Sequence, residues 1–315
     1  MSLLEDIEKL WTEEQEAKSR KWVKELIDSR ERLMAAGKKF HQWEPLQVYL
    51  SVAQAQIPRV SFSLRYQGQN VANLVVNDVP QLRIDKQTAK TNQSYFGVNT
   101  EAGTFPWRGP DAKQFREDFK KVPSDMRGRI PEHRIESEFL KQMADRTSKK
   151  FDGTLKGIQP VLLADCPFQL PLPISGNTGK PETGKGSIDI VARRRVGNQI
   201  RISIWELKRP GVTAHAIEQA YIYGVTLIKM LRSIESGKLW YRDIFGFTGK
   251  MPDKLTIECV VAVSLPERSK PAFAEKLRRF VKEDSLQVGI DTIKLYVAHY
   301  SEDPLRVCLL EECSP

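Results

Sequence analysis

Between Gly186 and Lys208 the chain sets two apolar segments back to back, around Ile188–Ala192 and Ile200–Leu207. Their β-branched residues predict two strands, and a turn near Val196–Asn198 would make them an antiparallel pair. Each carries charge where the centre of a sheet takes apolar side chains: Asp189 among Ile188, Ile190 and Val191, then Glu206 and Lys208 after Ile202, Ile204 and Trp205. The flanking pattern fixes the class. Before the pair lie the helical stretch PEHRIESEFLKQMADRTSKKF, with Ile135, Phe139, Leu140 and Met143 on one face, and a strand at about 159–165. After it come the helix AHAIEQAYIYGVTLIKMLRSIE, the buried strand LTIECVVAVSL, the helix KPAFAEKLRRFVKE and the strands TIKLYVAHY and PLRVCLLEE. Such an order predicts an α/β fold, a mixed sheet flanked by helices.

The N-terminal part has another texture. Residues 2–36 are charge-rich with apolar positions at Leu3, Ile7, Leu10, Trp11, Trp22, Leu26, Ile27 and Leu33, which predicts one long helix or two, ended by Gly37. The middle is too polar for a coiled-coil seam, so the expectation is an amphipathic helix lying on the body of the protein. From about 57 to 100, Val60, Phe62, Leu64 and Tyr66, the turn GQN, Val71–Val76, Leu82 and Ile84 predict an antiparallel β unit. GTFPWRGPDAK is a Pro- and Gly-rich loop, and a linker is expected around 103–128. Two domains follow from this: 1–125, helical and then β-rich, for recognition or assembly (as a homo-oligomer or with a partner subunit), and 126–315, the α/β domain.

Net charge is +9, a balance that favours a polyanionic partner such as nucleic acid. No run of about 18 apolar residues and no N-terminal apolar region appears, so neither a membrane span nor a signal peptide is expected. Cys166, Cys259, Cys308 and Cys313 form no CxxC pair, which predicts reduced thiols, a cytoplasmic setting and no zinc site.

Residues 179–186, GKPETGKG, fit the spacing of a phosphate-binding loop. Gly186 stands where Ser or Thr would hold Mg²⁺, and a strand follows where the motif must open a helix. An NTPase is therefore rejected and a flexible glycine loop is expected.

In a strand, residues i and i+2 point to one face, roughly 7 Å apart. Glu206 and Lys208 therefore emerge side by side, with Trp205 and Leu207 on the opposite face, and an antiparallel partner can bring Asp189 beside them. Two adjacent carboxylates repel and resist desolvation. A divalent cation removes that objection: Mg²⁺, with Mn²⁺ as a substitute, takes hard oxygen ligands, and Asp189, Glu206 and the Leu207 carbonyl are the candidates. Lys208 stands where it can help deprotonate a nucleophile.

Asp189 on one strand and Glu206-Leu207-Lys208 on the next resemble the motif of the PD-(D/E)xK nuclease superfamily, with Ile188 in place of the Pro. ESEFLKQM resembles the family's acidic helix before the sheet, which implies Glu136 as a further metal ligand, direct or through water. EQAYIYG resembles the Gln-x-x-x-Tyr helix of RecB-like and phage exonucleases, giving Gln219 and Tyr223; His215, Gln219 and Tyr223 fall at i, i+4 and i+8 on one helical face. The resemblance covers roughly residues 130–265. It implies a restriction-endonuclease-like core behind the N-terminal helical and antiparallel β region, and a Mg²⁺-dependent nuclease hydrolysing DNA in restriction, phage defence or repair. Catalysis would fall to Asp189, Glu206, Lys208 and Glu136, supported by Gln219 and Tyr223. Lys208, Arg209, His215, Arg193, Arg194 and Arg195 would meet backbone phosphates. A nucleic-acid-binding protein that keeps the fold without the activity is the alternative. The residues do not separate DNA from RNA, or end from internal cleavage.

Overall fold

The computed structural model describes residues 2–40, 43–53, 59–75, 80–123, 131–144, 155, 157–177, 179–209, 215–264, 266, 271–283, 286–302 and 305–313. In chain order the helices among them are α1 (Leu3–Leu10), α2 (Glu13–Asp28), α3 (Arg30–Phe40), α4 (Lys86–Phe96), α5 (Pro110–Lys120), α6 (Pro131–Ala144), α7 (Ala216–Arg232), α8 (Gly237–Leu239) and α9 (Pro271–Glu283). The strands are β1 (Gln47–Ala53), β2 (Arg59–Tyr66), β3 (Gln69–Val75), β4 (Gln81–Ile84), β5 (Gly103–Pro106), β6 (Ile158–Pro160), β7 (Leu162–Leu163) and β8 (Cys166–Pro167). They continue with β9 (Leu170–Ser175), β10 (Glu182–Ile188), β11 (Ile190–Val196), β12 (Gln199–Leu207), β13 (Thr256–Ser264), β14 (Gln287–Val288), β15 (Asp291–Glu302) and β16 (Leu305–Cys313). The chain is mixed α/β, and no helix among the described residues is long and apolar enough to cross a membrane. It divides into two compact units, residues 1–27, 140–161 and 169–315, and residues 28–139 and 162–168.

The first unit is built on a mixed seven-stranded sheet, ordered β14-β15-β13-β12-β11-β6 with β16 on β15. Strands β12, β13 and β15 run parallel, and the other pairs are antiparallel. Parallel neighbours need a crossover, supplied by α7 between β12 and β13 and by α9 between β13 and β15. Successive right-handed crossovers in one direction put both helices on one face, where Tyr221 of α7 meets Phe280 of α9 edge-on at 5.4 Å. A Cβ on Gly224 of α7 would lie 2.4 Å from Cys259 Sγ on β13. Only glycine lets the helix come that close, and its approach fixes which sheet face α7 covers. The turn between β11 and β12 is the two-residue Gly197-Asn198, with Gly197 at φ 58° and Val196 paired to Gln199; the tight hairpin expected there is present.

Helices α1 and α2 open the chain and pack in this same unit. Ser2 and Glu5 form a reciprocal capping box at the start of α1. Lys229 of α7 reaches Glu8 at 2.9 Å, Ser233 donates to Glu16, and buried Trp240 donates its indole N–H to Ser19 at 3.0 Å. Helices α1 and α2 thus lie on the body of the first unit, as expected. The N-terminal segment is three helices, however. The breaks fall at Trp11–Thr12 and at Ser29, and α3 continues through Gly37 to Phe40. A single glycine costs a helix about 1 kcal/mol, too little to stop it.

The second unit holds a five-stranded antiparallel sheet in the order β1-β2-β3-β4-β5. Its register separates two faces. Leu50, Phe62, Leu74, Leu82 and Phe105 follow one another across the strands, while Tyr49, Ser63, Asn73, Arg83 and Thr104 form the corresponding row on the other face. Tyr66, Phe96 and Phe119 form an aromatic cluster with centroids 5.0 to 5.9 Å apart. Strands β2 to β4 match the expected β unit. The sequence reading missed β1, helix α4, and the strand β5 and helix α5 inside the expected loop and linker; α5 begins at Pro110, the helix position where a missing N–H costs nothing. Residues 124–128 of that linker, 145–151 of the expected helix, and Ala214, Leu265 and Lys270 lie outside the described residues.

Candidate metal and phosphate site

In the first unit, β10 and β11 are nearly one strand, broken at Asp189. Ile190 pairs with Trp205, and the next step of the same register sets Asp189 beside Glu206. The half-buried Asp189 carboxylate replaces a strand there. Lys208 donates its main-chain N–H to Ala262 at 3.1 Å on the β13 side. Successive amides of a strand point to opposite sides, so the Leu207 N–H faces β11, where Asp189 Oδ2 accepts it at 2.9 Å. The Leu207 carbonyl leaves the strand on that same side.

Glu206 shares its sheet face with Ile202 and Ile204, and Ile204 is the cross-strand neighbour of Cys259. This is the face that α7 covers. Glu206 is 4% exposed, and its Oε1 lies 2.5 Å from Lys208 Nζ. Lys208 is held along its whole length, for its carbonyl also accepts the Tyr300 hydroxyl at 2.6 Å.

The stripe on α7 meets this cluster. Gln219 Nε2 donates to the Tyr223 hydroxyl at 3.1 Å. Burial pushes the Tyr223 phenol far above its ordinary range, and the charges of Glu206 and Asp189 push it in the same direction, so both carboxylates act on one hydroxyl. The stripe's outer side meets Asn177, just after β9, a residue that no sequence pattern flagged. Asn177 Oδ1 accepts from both Gln219 Nε2 and Tyr223 OH at 3.4 Å. Its one signal is its place beside a glycine in a turn-like run, SGNTG.

The glycine-rich run Gly179–Gly186 was expected to be a flexible loop. From Glu182 it is strand β10, paired to β9, and a Cβ on Gly186 would stand 2.3 Å from the Ile174 carbonyl oxygen. Its glycine serves close strand packing. No helix opens there, in keeping with the rejected NTPase reading.

The remaining candidates divide. Arg209 and His215 are exposed in the first unit, before and at the start of α7. Arg193 donates to the Gly246 carbonyl at 3.3 Å, and Arg195 is exposed. Arg194 and Arg201 grip the fully buried Glu258 carboxylate at 3.2 and 3.3 Å, and Arg194 lies 4.8 Å over the Tyr296 ring. Arg194 is thus committed to an internal ion pair. Glu136 is in the second unit, where its carboxylate lies 3.7 Å from Arg65 Nη1 and is 4% exposed. Among the described residues no three His, Cys, Asp or Glu side chains gather around a common point fit for a metal ion. A cation here would rest on two carboxylates and a main-chain carbonyl, all hard oxygen donors of the kind Mg²⁺ accepts while keeping waters.

Comparison of the chain with protein-family models, with curated proteins and with solved structures returned no match.

Proposed function

We propose that the protein is a divalent-cation-dependent nuclease with a restriction-endonuclease-like core, hydrolysing phosphodiester bonds of DNA. The observation that carries this reading is the meeting of Asp189, Glu206 and Lys208 with Gln219 and Tyr223 at the carboxyl end of β12, where open α/β sheets place their ligands. The net charge of +9 suits a polyanion.

Asp189, Glu206 and the Leu207 carbonyl would hold the cation, Mg²⁺ or Mn²⁺. When bound, it supplies Lewis-acid activation of water and stabilises charge building on the phosphate. Lys208 Nζ, held against Glu206, orients the attacking water and offers a positive charge to the developing oxyanion. The water oxygen forms the new P–O bond, the bridging P–O bond breaks, and the leaving oxygen takes up a proton. Arg209 and His215, both exposed, would meet the phosphates of a bound strand.

The test is incubation of linear and covalently closed circular DNA with the protein, in Mg²⁺ or in EDTA. Metal-dependent cleavage is expected, lost in Asp189→Ala and Lys208→Ala with DNA binding retained. Loss of the linear form alone marks an exonuclease, and nicking of the circle an endonuclease. Full activity in Asp189→Ala rejects the site. Salt-sensitive binding without cleavage leaves a non-catalytic nucleic-acid-binding protein.

A further inference from the structure

One row of the first unit's sheet runs Glu206, Val261, Val297 and Glu311, across β12, β13, β15 and β16. Their side chains share the face that α7 and α9 cover. One end of this row is the candidate metal site. At the other end lies a cavity of about 570 Å³ under the first two turns of α9, where Phe273, Leu277, Val297 and Cys313 supply apolar walls. Cys313 counts as apolar here, because burial, with Glu311 and Glu312 adding to it, pushes its thiol up to about 11. His299 and Glu311 form the polar side. An apolar cavity of this size with few polar groups is the usual form of a small-ligand site.

The polar side is selective in what it asks of a ligand. Glu312 also borders the cavity, but its carboxylate accepts from the Tyr296 hydroxyl at 2.8 Å and from Lys294 at 2.5 Å, on the opposite face. Glu311 is half exposed at the mouth, and its Oε2 lies 3.5 Å from Nε2 of the buried His299. An imidazole N–H on that side holds the carboxylate over the cavity. An ionised carboxylate only accepts, so the ligand must bring donors. Apolar walls with one hydrogen-bonding edge are how a base taken out of its stack is held. Guanine sets two N–H donors, on N1 and N2, side by side, and one carboxylate can accept both. Adenine and cytosine set an acceptor nitrogen beside their amino group, and thymine flanks its N–H with two carbonyls. Each of these would turn a lone pair towards Glu311.

The spacing suits a substrate strand. Val297 stands two strand spacings, roughly 10 Å, from Glu206, the length of about three stacked nucleotides. A strand crossing the carboxyl end of β13 would reach both places.

We propose that this cavity is a guanine-binding subsite, in which Glu311 accepts the paired N–H donors of a base a few nucleotides from the cleaved bond. The proposal deepens the nuclease reading and rests on it for the identity of the strand, but base binding can be measured without cleavage.

The experiment is calorimetric titration of the full chain with dGMP, dIMP, dAMP, dCMP and TMP, in EDTA so that no metal contributes, with folding checked by circular dichroism. dGMP should bind about tenfold tighter than dAMP, dCMP or TMP, the discrimination of one bidentate pair. dIMP, which lacks the N2 amino group, should fall between. Glu311→Gln should bring dGMP down to the level of dAMP, and Asp189→Ala should leave every affinity unchanged. Equal binding of the five nucleotides, no binding of dGMP, or an undiminished dGMP preference in Glu311→Gln each overturns the proposal. Mg²⁺-dependent cleavage by a protein without dGMP preference removes the subsite and leaves the nuclease standing. A Glu311-dependent dGMP preference in a protein that cleaves no DNA supports the subsite and removes the nuclease.

Discussion

The Asp189 carboxylate accepts the amide proton of Leu207 at 2.9 Å, at the point where the strand carrying Asp189 bends away from β12. One side chain thus closes a sheet edge and presents negative charge beside Glu206. The two duties can be separated. Asp189→Asn keeps an oxygen for the Leu207 amide but loses the charge; Asp189→Ala loses both. Mn²⁺ binding should disappear in each. Thermal stability should stay near wild type in Asn and fall in Ala by about 1–3 kcal/mol, the cost of an unsatisfied buried amide. Equal melting temperatures for the two variants would show that the Leu207 contact carries no structural weight.

Arg65 and Glu136 test whether the acidic helix before the sheet serves structure or metal. Their side chains are 11% and 4% exposed and 3.7 Å apart, and the Arg65 guanidinium lies 4.0 Å over the Tyr49 ring. Removing one member of a buried pair strands the other, at about 3–5 kcal/mol. Glu136→Gln and Arg65→Met should each destabilise the protein, and the double variant should lose less than the sum in denaturant titrations. Mn²⁺ affinity should survive Glu136→Gln. A loss of affinity there would support the ligand role that the family resemblance implies.

Glu258 is fully buried between Arg194 and Arg201. Glu258→Ala leaves two guanidiniums facing each other across β11 and β12 and should cost about 3–5 kcal/mol, read as a lowered urea midpoint. DNA binding of the variant, measured below its melting temperature, should be unchanged, since Arg194 and Arg201 lie on the sheet face opposite Glu206. A marked gain in DNA affinity would mean that Glu258 restrains a phosphate-binding arginine.

Gly224 allows α7 to lie on Cys259. Alanine would add helix propensity of about 1 kcal/mol, but its Cβ would stand 2.4 Å from Cys259 Sγ, and overpacking of this kind costs about 1–3 kcal/mol. Gly224→Ala should therefore melt lower than wild type. Because α7 also carries Gln219 and Tyr223, a displaced helix should weaken Mn²⁺ binding as well. Pairing it with Cys259→Ala, which removes the obstructing sulfur, should restore stability in part.

The sequence by itself determined the strand pair, the position of Asp189, Glu206 and Lys208 on it, and the Gln219–Tyr223 stripe, because side-chain direction along a strand or helix follows from local geometry alone. For the same reason β2 to β4 and β12, β13, β15 and β16 were legible: their apolar patterning is strong. Strand β9, reading LPLPIS, was not, since two prolines hide a segment whose pairing to β10 comes from across a turn. Nor was the commitment of Arg194 to Glu258, which are 64 residues apart, or of Glu136 to Arg65. Which ionisable groups meet is settled by the chain's return path, and only tertiary structure holds that information. It alone brought Asn177 onto α7, a meeting that no local pattern announces.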